Sequence, residues 1–160
     1  GATVIAAAGT ATKRELAAGL GADLVLPYEG FASAVREFTG GNGVHVVYDG
    51  VGAATFDGSL AALRPRGMLA LFGASSGAVP AFDLQRLNSG GSLFITRPSL
   101  AHYVSDRGEM AWRASDVLDS IANGRLHVQI HETYELGNAA SAHKALESRA
   151  TTGKLLLKIA

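Results

Sequence analysis

Apolar residues along this chain gather in short continuous runs rather than in alternation. The runs are Thr3 to Ala7, Leu24 to Leu26, Val44 to Tyr48, Met68 to Phe72 and Leu93 to Thr96. Unbroken apolarity over a strand's length suits strands buried on both faces of a parallel sheet. Their starts lie about twenty to twenty-five residues apart, room for one crossover helix each time. The segments between them carry helical spacing. Thr12 to Leu20 sets Leu16 and Leu20 four apart beside Lys13, Arg14 and Glu15, with Gly21 as a stop; Phe31, Val35 and Phe38 recur before Gly40 and Gly41, and Phe56, Leu60 and Leu63 before Pro65. The order β-α-β-α-β-α-β predicts an α/β fold on a parallel, helix-covered sheet with right-handed crossovers. After Pro98 the rhythm changes. Asp106 to Asn123 predicts one long helix with Val117, Leu118 and Ile121 on a face, His127 to Leu136 an extended segment, Ala139 to Arg149 a helix, and Lys154 to Ile159 a last strand.

Composition narrows the function classes. Lys plus Arg and Asp plus Glu each number 14, leaving no net charge, so no basic surplus exists to neutralise a nucleic-acid backbone. Hydrophobic residues make up 48% and charged residues 18%, which excludes wholesale disorder. Cysteine is absent, excluding disulfides and thiolate chemistry within the chain and agreeing with a reducing compartment such as the cytoplasm. The apolar runs are strand-sized and far short of the roughly 20 residues of a membrane helix. The 20 glycines sit at punctuation points between apolar runs rather than in low-complexity tracts.

An open parallel sheet binds ligands beyond the carboxyl ends of its strands, where helix N-termini aim N–H groups at anions. Gly50-Val51-Gly52-Ala53-Ala54-Thr55 nearly matches G-x-G-x-x-G, with Thr55 at the last glycine; alone, it reads first as a tight strand-to-helix turn. At the end of the first strand, Ala8-Gly9-Thr10 offers small residues and a hydroxyl where an NAD site would place a carboxylate, with Lys13 and Arg14 close behind. A missing acid and nearby cations suit a ribose 2'-phosphate, hence NADP over NAD; on composition alone both cations read as ordinary solvated helix charges. Gly73-Ala74-Ser75-Ser76-Gly77 fits the G-x-S-x-G nucleophile pattern, but Ala78-Val79-Pro80 follows where that motif needs a helix. His127 and His131 stand four apart in an extended segment and read as surface residues rather than metal ligands. Trp112 reads as a packing residue.

Five segments together resemble one family: Val47 to Gly52, Leu63 to Met68, Phe72 to Gly77, Gly91 to Leu100 (including Thr-Arg-Pro-Ser-Leu) and Glu147 to Lys154. They are similar to the cofactor-binding half of the NADPH:quinone oxidoreductases, the zinc-independent, zeta-crystallin-like branch of the medium-chain dehydrogenases, over essentially the whole chain. The resemblance implies hydride transfer from NADPH to a quinone or other conjugated carbonyl without a metal. It implies that Gly9, Thr10 and Lys13 hold the 2'-phosphate and that Tyr28 covers the adenosine end. Gly50 and Val51 fall at the adenine side, Phe72, Gly73 and Ala74 near the ribose and nicotinamide, Thr96 and Arg97 beside the nicotinamide, and Arg149 near the phosphates. No residue is assigned as catalytic acid or base. Gly50 stands where the family usually has serine and Ala74 where asparagine is common, so those two contacts rest on backbone alone. An enoyl or alkenal reductase on the same scaffold and a non-catalytic binding or structural module are the alternatives.

The resemblance also implies what lies outside the chain. Residues 1–160 are expected to be part of an NADP-binding domain of Rossmann type, doubly wound, lacking the first strand and its glycine-rich loop, with a C-terminal helix and strand extension; the substrate domain is absent from this chain. In strand order 3-2-1-4-5-6 the missing strand is central, and two half-sheets with unpaired edges result unless they close on each other. The Leu93 to Thr96 strand ends the core series, so pairing across a two-fold axis, and hence a homodimer, is expected. The expected partners are a small-molecule quinone or enone and a second copy, with no nucleic acid and no membrane.

Overall fold

A computed structural model describes residues 1–148 and 151–159. The chain divides into two compact units, Gly1–His102 and Tyr103–Ala160. The first runs β1 (Ile5–Ala7), α1 (Ala11–Gly19), β2 (Leu24–Leu26), α2 (Phe31–Phe38), β3 (Val44–Asp49), α3 (Phe56–Ala62), β4 (Leu63–Leu71), α4 (Gln85–Ser89) and β5 (Phe94–Thr96), with α5 (Leu100–Tyr103) straddling the boundary. Every strand pairing in it is parallel, as the strand-helix alternation predicts.

The pairing stops at one place. β1 pairs with β2 and β3 with β4 and β5, giving sheets of two and three strands. Among the described residues β1 and β3 do not pair with each other, so the two half-sheets do not close directly. A cavity of about 1160 Å³ lies between them, lined by Gly1 to Ala7 on one side and Val44 to Val51 on the other.

The core sits on the three-stranded side. Phe56, Leu60, Leu63, Leu69, Leu71 and Leu93 form one buried cluster, with Val44, Val47, Val79, Phe82, Leu87 and Ile95 packed against it. Phe56 and Phe82 meet edge to face, ring centroids 5.0 Å apart, the arrangement that the ring quadrupoles favour. By contrast β1, β2 and α1 have no buried residue; the β1 residues and Leu26 of β2 border the cavity. β4 is longer than the apolar run Met68 to Phe72 predicts. Leu63 already pairs with Val44, and the register shifts before Val46 meets Met68. The intervening Arg66 takes a left-handed φ of 62°.

The Arg36 guanidinium fastens α2 to the α3–β4 junction. It donates to the carbonyls of Ala61 (2.9 Å), Gly41 (2.9 Å), Asn42 (3.3 Å) and Leu63 (2.6 Å). Carbonyls at helix ends lack intrahelical donors, and one planar fork here serves several of them.

In the second unit α6 (Arg107–Ala122) is capped by Asp106, which accepts from the Glu109 N–H at 2.9 Å. β6 (Ile130–Glu135) and β7 (Lys154–Lys158) pair in parallel, with α7 (Ala139–Glu147) between them in sequence. The apolar face expected on α6, Val117, Leu118 and Ile121, is exposed, so cap and charge pairing rather than burial support this helix. Trp112 is also a correction to the expected packing role: it is exposed, and the Arg113 guanidinium lies 4.9 Å from its ring centroid. Among the described residues no helix is long and apolar enough to cross a membrane.

Candidate functional site

The carboxyl ends of β1 and β2 bring the first group of expected site residues together. Thr10 caps α1 and its Oγ1 accepts from the Lys13 N–H at 3.3 Å. No acid occupies the first turn of α1, so its N–H groups present an N-terminal partial positive charge, and Lys13 stands in that turn. Arg14 turns back instead, donating to the Ala8 carbonyl at 3.3 Å, which makes it a brace for the strand end. Gly9 and Tyr28, nineteen residues apart in the chain, are in contact: a Cβ on Gly9 would lie 3.3 Å from the tyrosine ring.

A second group forms at the ends of β3 and β4, organised by a residue that the sequence reading passed over. Asp49 is 4% exposed. Its Oδ1 accepts from the N–H groups of Val51 (2.8 Å) and Gly52 (3.0 Å) and from the Thr55 hydroxyl (2.9 Å). Its Oδ2 lies 2.8 Å from both the Thr55 and the Ser59 hydroxyls. Burial pushes this carboxyl's pKa up, but the hydrogen bonds from Gly52, Ser59, Thr55 and Val51 outweigh it and hold the pKa below its ordinary 3.8. The carboxylate is thus consumed in shaping the turn. Thr55, the apparent defect in the G-x-G-x-x-G match, is one of its donors, and its side chain does not cap α3. The motif is a strand-to-helix turn built around a buried acid.

The turn after β3 and the loop after β4 lie against each other. The Asp49 carbonyl accepts from Phe72 N–H at 2.9 Å, and Ala53 N–H donates to the Gly77 carbonyl at 3.2 Å. Contact is closest at Gly73, where a Cβ would run into the Gly50 carbonyl, so only glycine fits. The Phe72 ring lies over Gly50, 2.9 Å from where a Cβ would stand; the position that the family usually gives to serine here borders an aromatic ring. Gly50 and Val51 line the same cavity as Tyr28. No helix follows Gly77 before Gln85, so Gly73 to Gly77 lacks the context of a nucleophile elbow. Thr96 ends β5, paired with Ala70 of β4, and Arg97 follows it. Arg149 lies outside the described residues.

A family model described as zinc-binding dehydrogenase matches residues 1–119. The chain belongs to that family. It is 45% identical to a 2-haloacrylate reductase of Burkholderia sp over 98% of this chain and 48% of the relative. It is 44% identical to quinone oxidoreductase 1 of Escherichia coli strain K12 over 98% of this chain and 49% of the relative. The crystal structure of Escherichia coli quinone oxidoreductase complexed with NADPH superposes with a TM-score of 0.92 at 42% identity, covering 99% of this chain and 50% of that one. The chain thus spans about half the length of the relatives it matches, and its parallel sheets are those of the Rossmann-like cofactor-binding domain in these structures.

In this member of the zinc-binding dehydrogenase family, the described residues do not fit the metal in the family's name. The chain has no cysteine, and no group of three or more His, Asp or Glu among the described residues could hold an ion. His131 Nδ1 accepts from the Thr152 N–H at 3.4 Å. Besides Asp49, the sequence reading missed Ser76. A buried Asp ending a strand with hydroxyls six and ten residues on is a usable signal for the first; the second depends on a contact between separate loops, to which no local pattern points.

Proposed function

We propose that this chain is the cofactor-holding part of an NADP(H)-dependent reductase whose acceptor is a quinone or another conjugated carbonyl. The observation that carries the reading is the end of β1: a capped helix N-terminus, the Thr10 hydroxyl and Lys13, with no carboxylate where an NAD site would need one. Such a set attracts a 2'-phosphate dianion. Tyr28 closes the adenosine end beside Gly9. Gly50 and Val51 present backbone on the adenine side, and Phe72, Gly73 and Ala74 form the floor near the ribose and nicotinamide. Thr96 and Arg97 flank the nicotinamide; the assignment of Arg149 to the phosphates rests on the family resemblance alone, since it lies outside the described residues. NADPH bound there would supply the hydride, becoming NADP⁺ while the acceptor gains that hydride and one proton.

The cavity between β1 and β3 is the place for a central strand from the rest of the same protein. Two facing strand edges that pair with no other strand on that side among the described residues call for a partner that hydrogen-bonds both. On this reading residues 1–160 are part of one NADP-binding domain, and the remainder supplies the glycine-rich loop and the substrate domain. β5 pairs only with β4 among the described residues, and its free edge joins a second copy across a two-fold axis. Gel filtration of the complete protein then gives a dimer; a monomer alone would refute the pairing.

Near-equal identity to a 2-haloacrylate reductase and to a quinone oxidoreductase leaves two acceptor classes, a quinone and an α,β-unsaturated acid. Turnover of each with NADPH in the complete protein, followed by loss of the reduced nicotinamide's absorbance, distinguishes them. Turnover of either supports the reading and says which conjugated carbonyl is the acceptor, whereas turnover of neither favours a non-catalytic module.

A further inference from the structure

The turn after β3 and the loop after β4 belong to different crossovers; backbone bonds join them, from Phe72 N–H to the Asp49 carbonyl, Ser75 N–H to the Gly50 carbonyl and Ala53 N–H to the Gly77 carbonyl, and one hydroxyl adds to these. Ser76 Oγ donates to the Val51 carbonyl at 2.7 Å and accepts from the Ala54 N–H at 2.9 Å, while the Ser76 N–H donates to the same Val51 carbonyl at 2.8 Å. Asp49 fixes the base of the turn from below through the N–H groups of Val51 and Gly52. Ser76 ties the outer part of that turn to the loop that carries Phe72, Gly73 and Ala74.

Ser76 is exposed. In its absence water could satisfy Ala54 and Val51, so its bonds add little to folding stability. What they add is the relative position of two loops. The geometry points to Ser76 as a positioning residue for a bound dinucleotide, a role that rests on the NADP(H) reading above. Its hydroxyl reinforces the backbone bonds that make Gly50 to Ala54 and Phe72 to Ala74 one surface, so that adenine-side and nicotinamide-side contacts are offered in fixed register. Preorganisation of this kind removes ordering cost from binding. Ser76 acts at the ends of β3 and β4, whereas Thr10 and Lys13 stand at the end of β1. Its effect therefore falls on the parts that NADPH and NADH share.

The test compares wild type, Ser76→Ala and Ser76→Thr in the complete protein, titrating each with NADPH and with NADH. Ser76→Ala is expected to weaken both nucleotides by the same factor, about tenfold for lost register and hydrogen bonds, with the NADPH-to-NADH ratio unchanged. Ser76→Thr, which keeps the hydroxyl, restores both affinities. The melting temperature stays within about 2 °C of wild type, as for an exposed side chain. Unchanged affinities in Ser76→Ala, or a lowered melting temperature with unchanged affinities, would overturn the positioning role. So would weakening of NADPH alone, which would mark a direct 2'-phosphate contact. If wild type binds neither nucleotide, the cofactor reading itself fails and this role falls with it.

Discussion

Replacing Asp49 by asparagine changes charge at nearly constant shape, in a pocket where the carboxylate accepts from four groups. With the asparagine carbonyl at the Oδ1 position, the bonds from Val51, Gly52 and Thr55 persist but lose their charge assistance. That difference is about 1 kcal/mol per bond, since hydrogen bonds to charged groups contribute roughly 1.5–3 kcal/mol and neutral ones roughly 0.5–1.5. The amide nitrogen then faces the Thr55 hydroxyl, whose proton stays on the carbonyl and whose lone pair can accept, and the Ser59 hydroxyl, which must turn to accept. Against these losses, the neutral amide costs less to bury. The net expectation is a destabilisation of about 2–3 kcal/mol at neutral pH, or roughly 5–10 °C in melting temperature for a chain of this size. The pH dependence fixes the cause. The folded-state pKa of Asp49 is depressed below 3.8, so in acid the unfolded chain takes up the proton first. The carboxylate's contribution is fully present above the unfolded pKa and is lost as pH falls through the lower folded one. Chemical denaturation at pH 7 and at several points between about 5 and 3 should show the gap between wild type and Asp49→Asn narrowing as pH falls. A variant as stable as wild type at pH 7, or a gap independent of pH, would refute the assignment.

Two further substitutions probe the frame around the site. Arg36→Met keeps the aliphatic stem but strands the carbonyls of Ala61, Gly41, Asn42 and Leu63; it should cost about 2–4 kcal/mol in denaturant unfolding, and a loss under about 0.5 would show that water replaces the clamp. Gly73→Ala drives a methyl into the Gly50 carbonyl; it should force the two loops apart and weaken NADPH binding more than tenfold, and unchanged binding would contradict the close packing described.

Much of the fold is legible because burial on both faces leaves an unbroken apolar signature. Leu24 to Leu26 is read with its observed bounds, and Phe31, Val35 and Phe38, read at helical spacing, fall in α2. β4 is less legible: Pro65 lacks an N–H and reads as a break, while pairing of Leu63 with Val44 is a tertiary fact. α4 spans five residues, too few for a period to show. At the site, Gly9, Thr10 and Lys13 follow from strand-end logic sharpened by resemblance, and Tyr28 from resemblance alone; the Gly9–Tyr28 contact unites them. Asp49 and Ser76 escaped because their roles consist of partners in other segments, Ser76 bonding to residues 22 and 25 positions away.

On the function proposed above, the end of β1 selects NADPH through Lys13. Fluorescence titration of wild type and Lys13→Ala with NADPH and with NADH tests it most directly. Wild type should prefer NADPH, and Lys13→Ala should lose about tenfold or more in NADPH affinity with NADH affinity unchanged. A wild type that prefers NADH, or a Lys13→Ala variant that keeps the full preference for NADPH, would contradict it.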